Sequence, residues 1–509
     1  MAAITMGDIS REHRRSFPDR IAVIDGKGRQ TWPEFDDRTN QVANLLTGLD
    51  IGAGDRVLWL AQSSASFLEL LIGCAKVGAM VCPANWRQSG DELRFVIEDF
   101  SPQLVVWQDE EIGEAVAQAR ANTSHEATWL QVDGEGEGSL EHAVVAAGAA
   151  DVEVEVPVDA PLLVIYTAAM IDRPNGSMLT HRNLLAMGMA TARITAADHA
   201  SVFLNSGPLF HVGNFQFEAV PVFLHGGTNI FVRRVDAAEV LQIIEDERAT
   251  SAFLMPPTIA EIKELNREAK RDISSLRPGP FAPVWGDALP ADPTLWGTQP
   301  GGFGQTEVSG LAVLNGYGGR GLGNSGRPSP LAQVRVVDAD GQECPVGQAG
   351  EIVIRGDLVH AGYWNRPELN SRRMREGWWH TTDLGRRETD GTIHFIGTMT
   401  RMIKSAAENI YPPEVESCIE SHPAVTEAAL IGVPDPRFRQ SVLAVVALAP
   451  GATATEQEII EHCKSRIASY KKPRRVEFVD ALPRTAGAKD YDALDAMFGG
   501  GGYPGGDNV

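Results

Sequence analysis

The segment from Tyr166 to Gly176 has the position of a phosphate-binding loop but lacks the residues that such a loop uses. It follows the apolar run Pro161–Ile165, which predicts a buried strand, and it precedes a helical pattern that begins near Thr180. A loop between a strand and a helix is where α/β proteins bind phosphate, because free backbone N–H groups at the helix start point toward the ligand. Glycines, hydroxyls and a lysine would suit that chemistry. The residues present instead are Ala168, Ala169, Met170, Ile171, Asp172 and Asn175.

The elements around this loop predict an α/β fold. From about residue 55 to 260, apolar runs such as Val57–Leu60 alternate with helical patterns such as Ser66–Val77. Such alternation indicates crossover connections and a largely parallel sheet. From about residue 318 to 398, Gly and Pro are frequent and strands follow one another closely, which predicts a small β-barrel-like subdomain. After about residue 400 a compact α+β pattern begins.

These patterns divide the chain into unequal parts. We expect a large N-terminal domain of parallel αβ subdomains and the β-barrel-like subdomain over residues 1–398, followed by a hinge at residues 399–401. A small, mobile α+β C-terminal domain is expected over residues 402–497, with a flexible glycine-rich tail over residues 498–509 that cannot bury a core.

Composition excludes several classes of protein. The 509 residues include 45 Lys and Arg against 67 Asp and Glu, a net charge of -22 that argues against a nucleic-acid or anionic-membrane binder. The five cysteines are scattered without a C-x-x-C pair, which favours a reducing cytoplasm over a zinc site. The first twenty residues lack an apolar core, and the apolar segment Phe67–Ala84 contains Glu69 and Lys76, so neither a signal peptide nor a membrane span is predicted.

A series of motifs follows in order over most of the chain. They are Gly207–His211, Gly302–Glu307, Gly350–Gly356, Gly362–Glu368, Gly377–Gly385, Ile403–Glu416 and Leu482–Lys489. Together they resemble the adenylate-forming superfamily, and the acyl-CoA ligase branch is the most similar because of residues 350–479. The resemblance implies a reaction in two steps. In the first step, a carboxylate attacks the α-phosphate of ATP to give acyl-AMP and pyrophosphate. The C-terminal domain then rotates and the CoA thiol attacks the acyl carbon.

The resemblance also implies a role for each matching residue. Lys489 would balance charge on the acyl and phosphate oxygens during adenylation. Glu307 would be the Mg²⁺ ligand, since carboxylate oxygens suit that ion. Phe303 would stack on adenine, Thr306 would contact the phosphate, and Asp383 would accept hydrogen bonds from the ribose. Taken singly, each has an ordinary structural alternative, such as a turn phenylalanine, a solvated acid or a solvated lysine.

Other matching positions would border the ligands. The implied nucleotide and CoA contacts also include Gly304, Gln305, Thr398, Lys404, Ala406 and Ala407, with Thr400 at the hinge. His211 would line the acyl pocket or gate the thiol path, and a core histidine is an equally good interpretation. The basic run Lys471–Arg475 could contact CoA phosphates, although a solvated basic edge is the commoner case.

The departures from the family pattern concentrate at the phosphate loop. Only Tyr166, Thr167, Pro174 and Gly176 match the superfamily loop, Asn175 replaces its lysine, and Asp172 places a carboxylate where the β- and γ-phosphates would lie. Losing three hydrogen bonds to a charged group would cost on the order of 5–9 kcal/mol if additive.

Positions outside the loop also depart from the pattern, among them Thr400 at the hinge. Thr398 occupies the position of an arginine that reaches the ribose. Ala406 and Ala407 replace a glycine pair on the loop beside the pantetheine path.

The preferred hypothesis is a ligase that uses an acyl-AMP without making it efficiently. It resembles the non-adenylating acyl-CoA ligases of platensimycin and platencin biosynthesis, which implies a separate adenylating ligase as partner and a bulky terpenoid acid as substrate. AMP or acyl-AMP and CoA are then the expected ligands, whereas the altered loop argues against tight binding of ATP and Mg²⁺. A homodimer is common among similar ligases. Two alternatives stay open: a complete ATP-dependent ligase, and a homologue that binds the acid or adenylate without turnover.

Overall fold

A computed structural model describes residues 3–167, 174–318, 325–399, 401–406, 408–485 and 488–501. Within these ranges no helix is both long enough and apolar enough to cross a membrane. Four sheets of five to eight strands and one two-stranded sheet organise the described part of the chain.

Two mainly parallel sheets form the first half of the chain. The first contains, in spatial order, Thr128–Gln131, Leu104–Trp107, Arg56–Leu60, Met80–Pro83, Pro161–Thr167 and Asn175–Thr180. The second contains Ser251–Ala252, Val202–Asn205, Thr228–Phe231, Ile21–Asp25 and Gly28–Thr31. Only the last pair of strands in each sheet is antiparallel. The predicted parallel α/β region is therefore confirmed.

Helices cover these sheets and separate them. The α-helices among the described residues are Met6–Ser16, Trp32–Gly48, Ala65–Val77, Gly90–Phe100, Gly113–Asn122, Leu140–Ala146, His181–Thr195, Val220–Leu224, Ala237–Asp246, Pro256–Leu265, Ala282–Trp285, Leu295–Thr298, Pro367–Arg373, Pro412–Glu420, Glu456–Lys464 and Tyr491–Phe498. Every residue of Ala65–Val77 is buried, because this helix contacts strands of both sheets. Its buried Lys76 pairs with Asp36 at 2.6 Å, and Gly78 ends the helix with a φ of 79°.

An antiparallel sheet carries much of the site. Its strands, in spatial order, are Gly302–Gln305, Gly310–Leu314, Ser325–Pro328, Ile393–Thr398, Trp378–Arg387, Ala349–Gly356 and Ala332–Val337, with Met374–Arg375 paired to Trp378–Arg387. Its apolar face buries Phe303, Trp379 and Phe395 in one cluster. The predicted β subdomain is confirmed, and its register places Asp383 opposite Thr398.

The C-terminal region is a small α+β unit, as predicted. Its sheet orders Glu408–Ile410, Ile403–Ser405, Arg439–Leu448 and Val425–Asp435, and Arg475–Val479 pairs in parallel with Arg439–Leu448. A short hairpin joins Arg484–Thr485 to Ala488–Lys489. Thr400 and residues 502–509 lie outside the described residues, so the hinge and the flexible tail stay predictions.

The prediction that Tyr166–Gly176 joins a strand to a helix is wrong. Asn175–Thr180 is itself a strand, antiparallel to Pro161–Thr167, and the next helix begins only at His181. The helical pattern predicted from near Thr180 is confirmed, since Thr180 caps the helix His181–Thr195, whereas the strand before it was missed. The two described ends of the segment therefore belong to paired antiparallel strands, and no helix start follows it directly. Ala168, Ala169, Met170, Ile171 and Asp172 lie outside the described residues.

Candidate active site

A cavity of about 820 Å³ lies between the antiparallel sheet, the segment Ser206–Asn214 and the start of the C-terminal region. Side chains from both sides of residue 400 line it. The cavity is thus formed jointly by the two parts of the chain that the sequence divides at the predicted hinge.

Phe303 provides a flat wall of this cavity. Its ring stacks on Phe395 with centroids 5.1 Å apart and planes 19° apart, and both residues line the cavity. At the neighbouring Gly304, a Cβ would lie 1.8 Å from the carbonyl oxygen of Gly310, so this bulged pair of strands accepts no side chain there. The buried, stacked ring offers a surface on which a planar group such as a nucleobase can pack.

Gln305 fixes the carboxylate of Asp383. Its amide nitrogen donates to Asp383 Oδ2 at 3.0 Å, while its amide oxygen accepts from Trp379 Nε1 at 2.8 Å. Burial, together with the charge of nearby Glu307, raises the pKa of Asp383 to about 7. Asp383 can therefore change its charge near neutral pH, and its ionised form can accept hydrogen bonds from paired hydroxyls. Thr398, directly opposite, also lines the cavity.

Glu307 presents a second buried carboxylate to the cavity. Tyr363 donates its hydroxyl to Glu307 Oε1 at 2.7 Å, and burial raises the pKa of Glu307. Thr306 precedes it at the start of a short 3₁₀ turn and lines the same cavity. Among the described residues, no group of three His, Cys, Asp or Glu side chains could hold a metal by itself. One carboxylate nevertheless suits Mg²⁺, which is commonly held by one or two carboxylates and the substrate phosphates.

Glu408 joins the two parts of the chain across the cavity. It accepts a hydrogen bond from Arg87, and its carboxylate lies 3.4 Å from His211 Nε2. Burial alone would raise its pKa, but the hydrogen bond with His211 and the charges of His211 and Arg87 lower the pKa of Glu408 to about 2. His211 is half-buried at this wall, and Arg87 also lies over the ring of Tyr470. Glu408 is therefore ionised throughout the working pH range.

Lys471 forms a second ion-pair contact between the two parts of the chain, so it does not face the cavity as a free cation. Its ammonium lies 2.8 Å from Glu92 Oε1 and also pairs with Glu414, and the side chain is almost fully buried. Burial opposes its charge, yet the two carboxylates raise the pKa of Lys471. Lys471 is therefore not part of a solvated basic edge, because carboxylates surround its charge, and its contact with CoA phosphates stays a prediction.

The segment after the predicted hinge lines the cavity with Lys404 and Ala406. Lys404 Nζ donates to Asn409 Oδ1 at 2.6 Å, and burial lowers the pKa of Lys404. Ala406 has a φ of 52°, in the left-handed region, while its N–H donates to the carbonyl of Phe438 at 2.7 Å. A residue with a Cβ is disfavoured in that conformation, by roughly 1–2 kcal/mol. Ala407 lies outside the described residues.

Lys489 is held inside the C-terminal region. Its ammonium donates to Glu416 at 2.9 Å, to Glu420 at 3.2 Å and to the carbonyl of Ala428 at 2.6 Å. Although burial acts in the opposite direction, these carboxylates raise the pKa of Lys489. In the described part of the chain, Lys489 does not line the cavity. The structure thus brings Glu307 and His211 to one cavity but not Lys489.

The described residues at the two ends of the altered loop form hydrogen bonds with each other and with neighbouring segments. Thr167 Oγ1 donates to the carbonyl of Asn175 at 3.3 Å, and the Asn175 side-chain oxygen accepts from Arg366 Nε at 3.1 Å. Arg366 in turn pairs with Asp99 at 2.8 Å. The carbonyl of Gly176 accepts from the N–H of Trp364 at 2.7 Å. The position after Pro174 therefore carries a neutral side chain whose oxygen is already hydrogen-bonded to Arg366.

Sequence reasoning missed several residues that shape the cavity. Arg87, Tyr363, Arg373 and Tyr470 all line it or bond to its acids. Glu408 lies inside the motif Ile403–Glu416 and could have been found there. Arg87 could not, because its partner is 321 positions away.

Comparisons with known proteins agree with this architecture. Residues 10–364 match the AMP-binding enzyme family, and residues 414–489 match the AMP-binding enzyme C-terminal domain. A feruloyl-CoA synthase of Amycolatopsis sp is 34% identical, with 93% of this chain and 95% of that protein covered. The long-chain-fatty-acid–CoA ligase FadD13 of Mycobacterium tuberculosis is 30% identical, with 91% of each chain covered.

A solved structure supports the fold. The o-succinylbenzoate CoA synthetase MenE of Bacillus subtilis superposes with a TM-score of 0.80 at 24% identity, with 97% of this chain and 99% of that chain covered. The two family matches together include most of the motifs from which the superfamily resemblance was drawn. The chain therefore belongs to the AMP-binding enzyme family and is an acyl-CoA ligase-type member of the adenylate-forming superfamily.

Proposed function

We propose that this ligase converts an acyl-AMP and CoA to acyl-CoA and AMP, and that it makes little acyl-AMP of its own. The CoA thiol loses its proton and its sulfur attacks the acyl carbon. The bond from that carbon to the phosphate oxygen breaks, and AMP leaves with the electron pair. The observation that carries the proposal is the residue composition of Tyr166–Gly176, which lacks the hydroxyls, glycines and lysine of a triphosphate loop.

The surroundings of Asn175 support a weak site for pyrophosphate. A lysine there would place a cation at the base of the hairpin, whereas Asn175 is neutral and accepts from Arg366. Arg366 is itself neutralised by Asp99. Asp172 adds a negative charge to the same loop, and like charges repel. We infer that the leaving pyrophosphate would lack the positive surroundings that stabilise its developing charge.

The nucleoside side of the cavity supports retention of AMP. Phe303 offers its stacked ring, and Gln305 holds Asp383 in place beside it. These contacts need no triphosphate. A protein that keeps these nucleoside contacts but has an altered phosphate loop would still bind the adenylate portion of acyl-AMP and release AMP as product.

The position of the C-terminal region supports the thioester step. Lys404, Ala406 and Glu408 line the cavity, while Lys489, to which the family resemblance assigns adenylation, is paired with Glu416 and Glu420. Glu408 orients His211 and Arg87 along one wall. These residues would guide the thiol toward the acyl carbon. If ATP is used at all, Glu307 is the residue that would hold Mg²⁺, which would neutralise the phosphates.

We propose further that a separate adenylating ligase supplies the acyl-AMP and that the acid is bulky, of the terpenoid class. Relatives named for ferulate and for long-chain fatty acids support a carboxylic acid with a large apolar or aromatic body. A homodimer and a cytoplasmic location belong to the same proposal, and the five free cysteines are consistent with a reducing compartment.

The second candidate is a complete ATP-dependent acyl-CoA ligase. It is favoured by the 34% identity to a feruloyl-CoA synthase and by the presence of both Glu307 and Lys489. In that case backbone N–H groups and Lys489 would compensate for the loop after the C-terminal domain rotates.

A paired assay distinguishes the candidates. The full-length protein is given either an acid with ATP, Mg²⁺ and CoA, or the matching synthetic acyl-AMP with CoA, using ferulic, long-chain and diterpenoid acids. We expect thioester formation to be about 10³-fold or more faster from the adenylate. Comparable turnover from both mixtures would favour the complete ligase. Adenylate binding without thioester in either mixture would indicate a binding protein.

A further inference from the structure

Arg373 is a buried cation in the wall of the cavity. It is the last residue of the helix Pro367–Arg373, and only 9% of its surface is exposed. Its Nη2 donates to the carbonyl of Thr381 at 3.1 Å, and its guanidinium carbon lies 5.1 Å from the centre of the Trp379 ring. The side chain lines the same cavity as Phe303 and Asp383. Its position is thus fixed by the N-terminal domain alone.

The charge of Arg373 is not matched by a close partner. In the described part of the chain it forms no ion pair at 4.0 Å or less, and its buried Nε has no hydrogen-bond partner. A guanidinium stays charged at any working pH, and burying such a charge without a partner is unfavourable. A structural arginine would normally satisfy its donors on a carboxylate or on several carbonyls. The arrangement therefore leaves donor capacity for an anion that enters the cavity.

The surroundings specify which part of a ligand this anion would be. Glu307 and Asp383 are close enough for the Arg373 charge to act on both carboxyls, although neither pairs with it directly. A phosphate placed against Arg373 would therefore have the Asp383 carboxylate near the sugar and the Phe303 ring near the base. Arg373 is also permanently charged and planar, which suits bidentate binding of phosphate oxygens.

We propose that Arg373 binds the phosphate of the adenylate and supplies the positive charge that the altered loop does not. This inference deepens the proposed function, because it concerns the same use of AMP and acyl-AMP. Of the other cavity-lining cations among the described residues, Arg87 pairs with Glu408, Lys471 pairs with Glu92 and Glu414, and Lys404 donates to Asn409. Arg373 would keep its phosphate contact whichever way the C-terminal domain is turned.

The test compares AMP with adenosine, which lacks the phosphate. Binding to the full-length protein is measured by calorimetry at pH 8, where the AMP phosphate is doubly charged. We expect Arg373→Met to weaken AMP binding by roughly 10- to 100-fold and to leave adenosine binding unchanged, since the lost contacts are hydrogen bonds to a charged group. Arg373→Lys should recover part of the AMP affinity. Arg372→Met, at an exposed position of the same helix, should change neither.

Two results would overturn the proposal. Unchanged AMP affinity in Arg373→Met would show that the guanidinium does not contact the phosphate. An equal loss for AMP and adenosine would show that Arg373 only supports the shape of the cavity. If Arg373→Met does not fold, the same AMP-to-adenosine comparison is made with Arg373→Lys, in which a selective loss of AMP affinity is again required. The assay contains no ATP, acid or CoA, so its result is independent of whether the protein adenylates.

Discussion

The carboxylate of Glu408 accepts a hydrogen bond from Arg87, a residue of the N-terminal domain 321 positions earlier in the chain. His211 contacts the same carboxylate at 3.4 Å. These contacts hold the loop that carries Ala406 against the cavity. They therefore fix the arrangement of the two domains that the proposal assigns to thioester formation.

Breaking this contact should slow thioester formation selectively. Glu408→Gln removes a buried charge that pairs with Arg87, so we expect the rate from acyl-AMP and CoA to fall by about 10-fold. Arg87→Met should have a similar effect, and the double variant should lose little more than either single one. The exposed Glu126→Gln serves as the control. Additive losses in the double variant would show that the two residues act separately.

Restoring the phosphate loop should recover part of the adenylation reaction. The variant carries glycines at Ala169 and Asp172, hydroxyl residues at Ala168, Met170 and Ile171, and lysine at Asn175. We expect pyrophosphate release from acid, ATP and Mg²⁺ to rise by at least about 10-fold, because even one regained hydrogen bond to a charged group accounts for that factor. Thioester formation from acyl-AMP, measured in the same preparation, is the control and should be unchanged.

If pyrophosphate release does not increase, the cause of slow adenylation lies outside the phosphate loop. Thr398 is then the next position to test, since it lies opposite Asp383 where the family resemblance expects an arginine. A gain confined to Thr398→Arg would show that the ribose side, and not the loop, limits adenylation.

Ala406→Gly should stabilise the C-terminal region. Ala406 has a φ of 52°, a conformation that glycine adopts without strain. The strain energy that is relieved exceeds the free-energy cost of the extra conformational entropy that glycine gives the unfolded chain. We therefore expect the free energy of unfolding to rise by about 0.5–1 kcal/mol. Urea unfolding measures it. Ala452→Gly, at a position outside the left-handed region, should lower stability, and a loss in both variants would contradict the strain argument.

Adenosine affinity should rise with pH through neutrality. In the ligand-free protein, burial and Glu307 raise the pKa of Asp383 to about 7, so the carboxyl is largely neutral at pH 6 and ionised at pH 8. Because the ionised form accepts the ribose hydroxyls, binding favours loss of the proton, and we expect affinity to increase roughly 10-fold between these pH values. Adenosine avoids the titration of the AMP phosphate. A flat profile, or one that Asp383→Asn shares, would contradict this assignment.

The sequence predicted the fold well because its signals are local. Alternating apolar runs identified the parallel sheets, and ordered motifs located Phe303, Glu307 and Asp383, which the structure places around one cavity. The strand Asn175–Thr180 was missed, since its partner in the hairpin decides its conformation. The contact of Arg87 with Glu408 and the burial of Arg373 also depend on tertiary packing. No local pattern marks them.

The rate of pyrophosphate release in the first turnover shows directly whether the protein makes its own acyl-AMP. The full-length protein is mixed with acid, ATP and Mg²⁺ in the absence of CoA, and pyrophosphate is followed on the same timescale as thioester formation from acyl-AMP and CoA. We expect pyrophosphate to appear about 10³-fold or more slowly than the thioester. A stoichiometric burst of pyrophosphate that is as fast as the thioester step would contradict it.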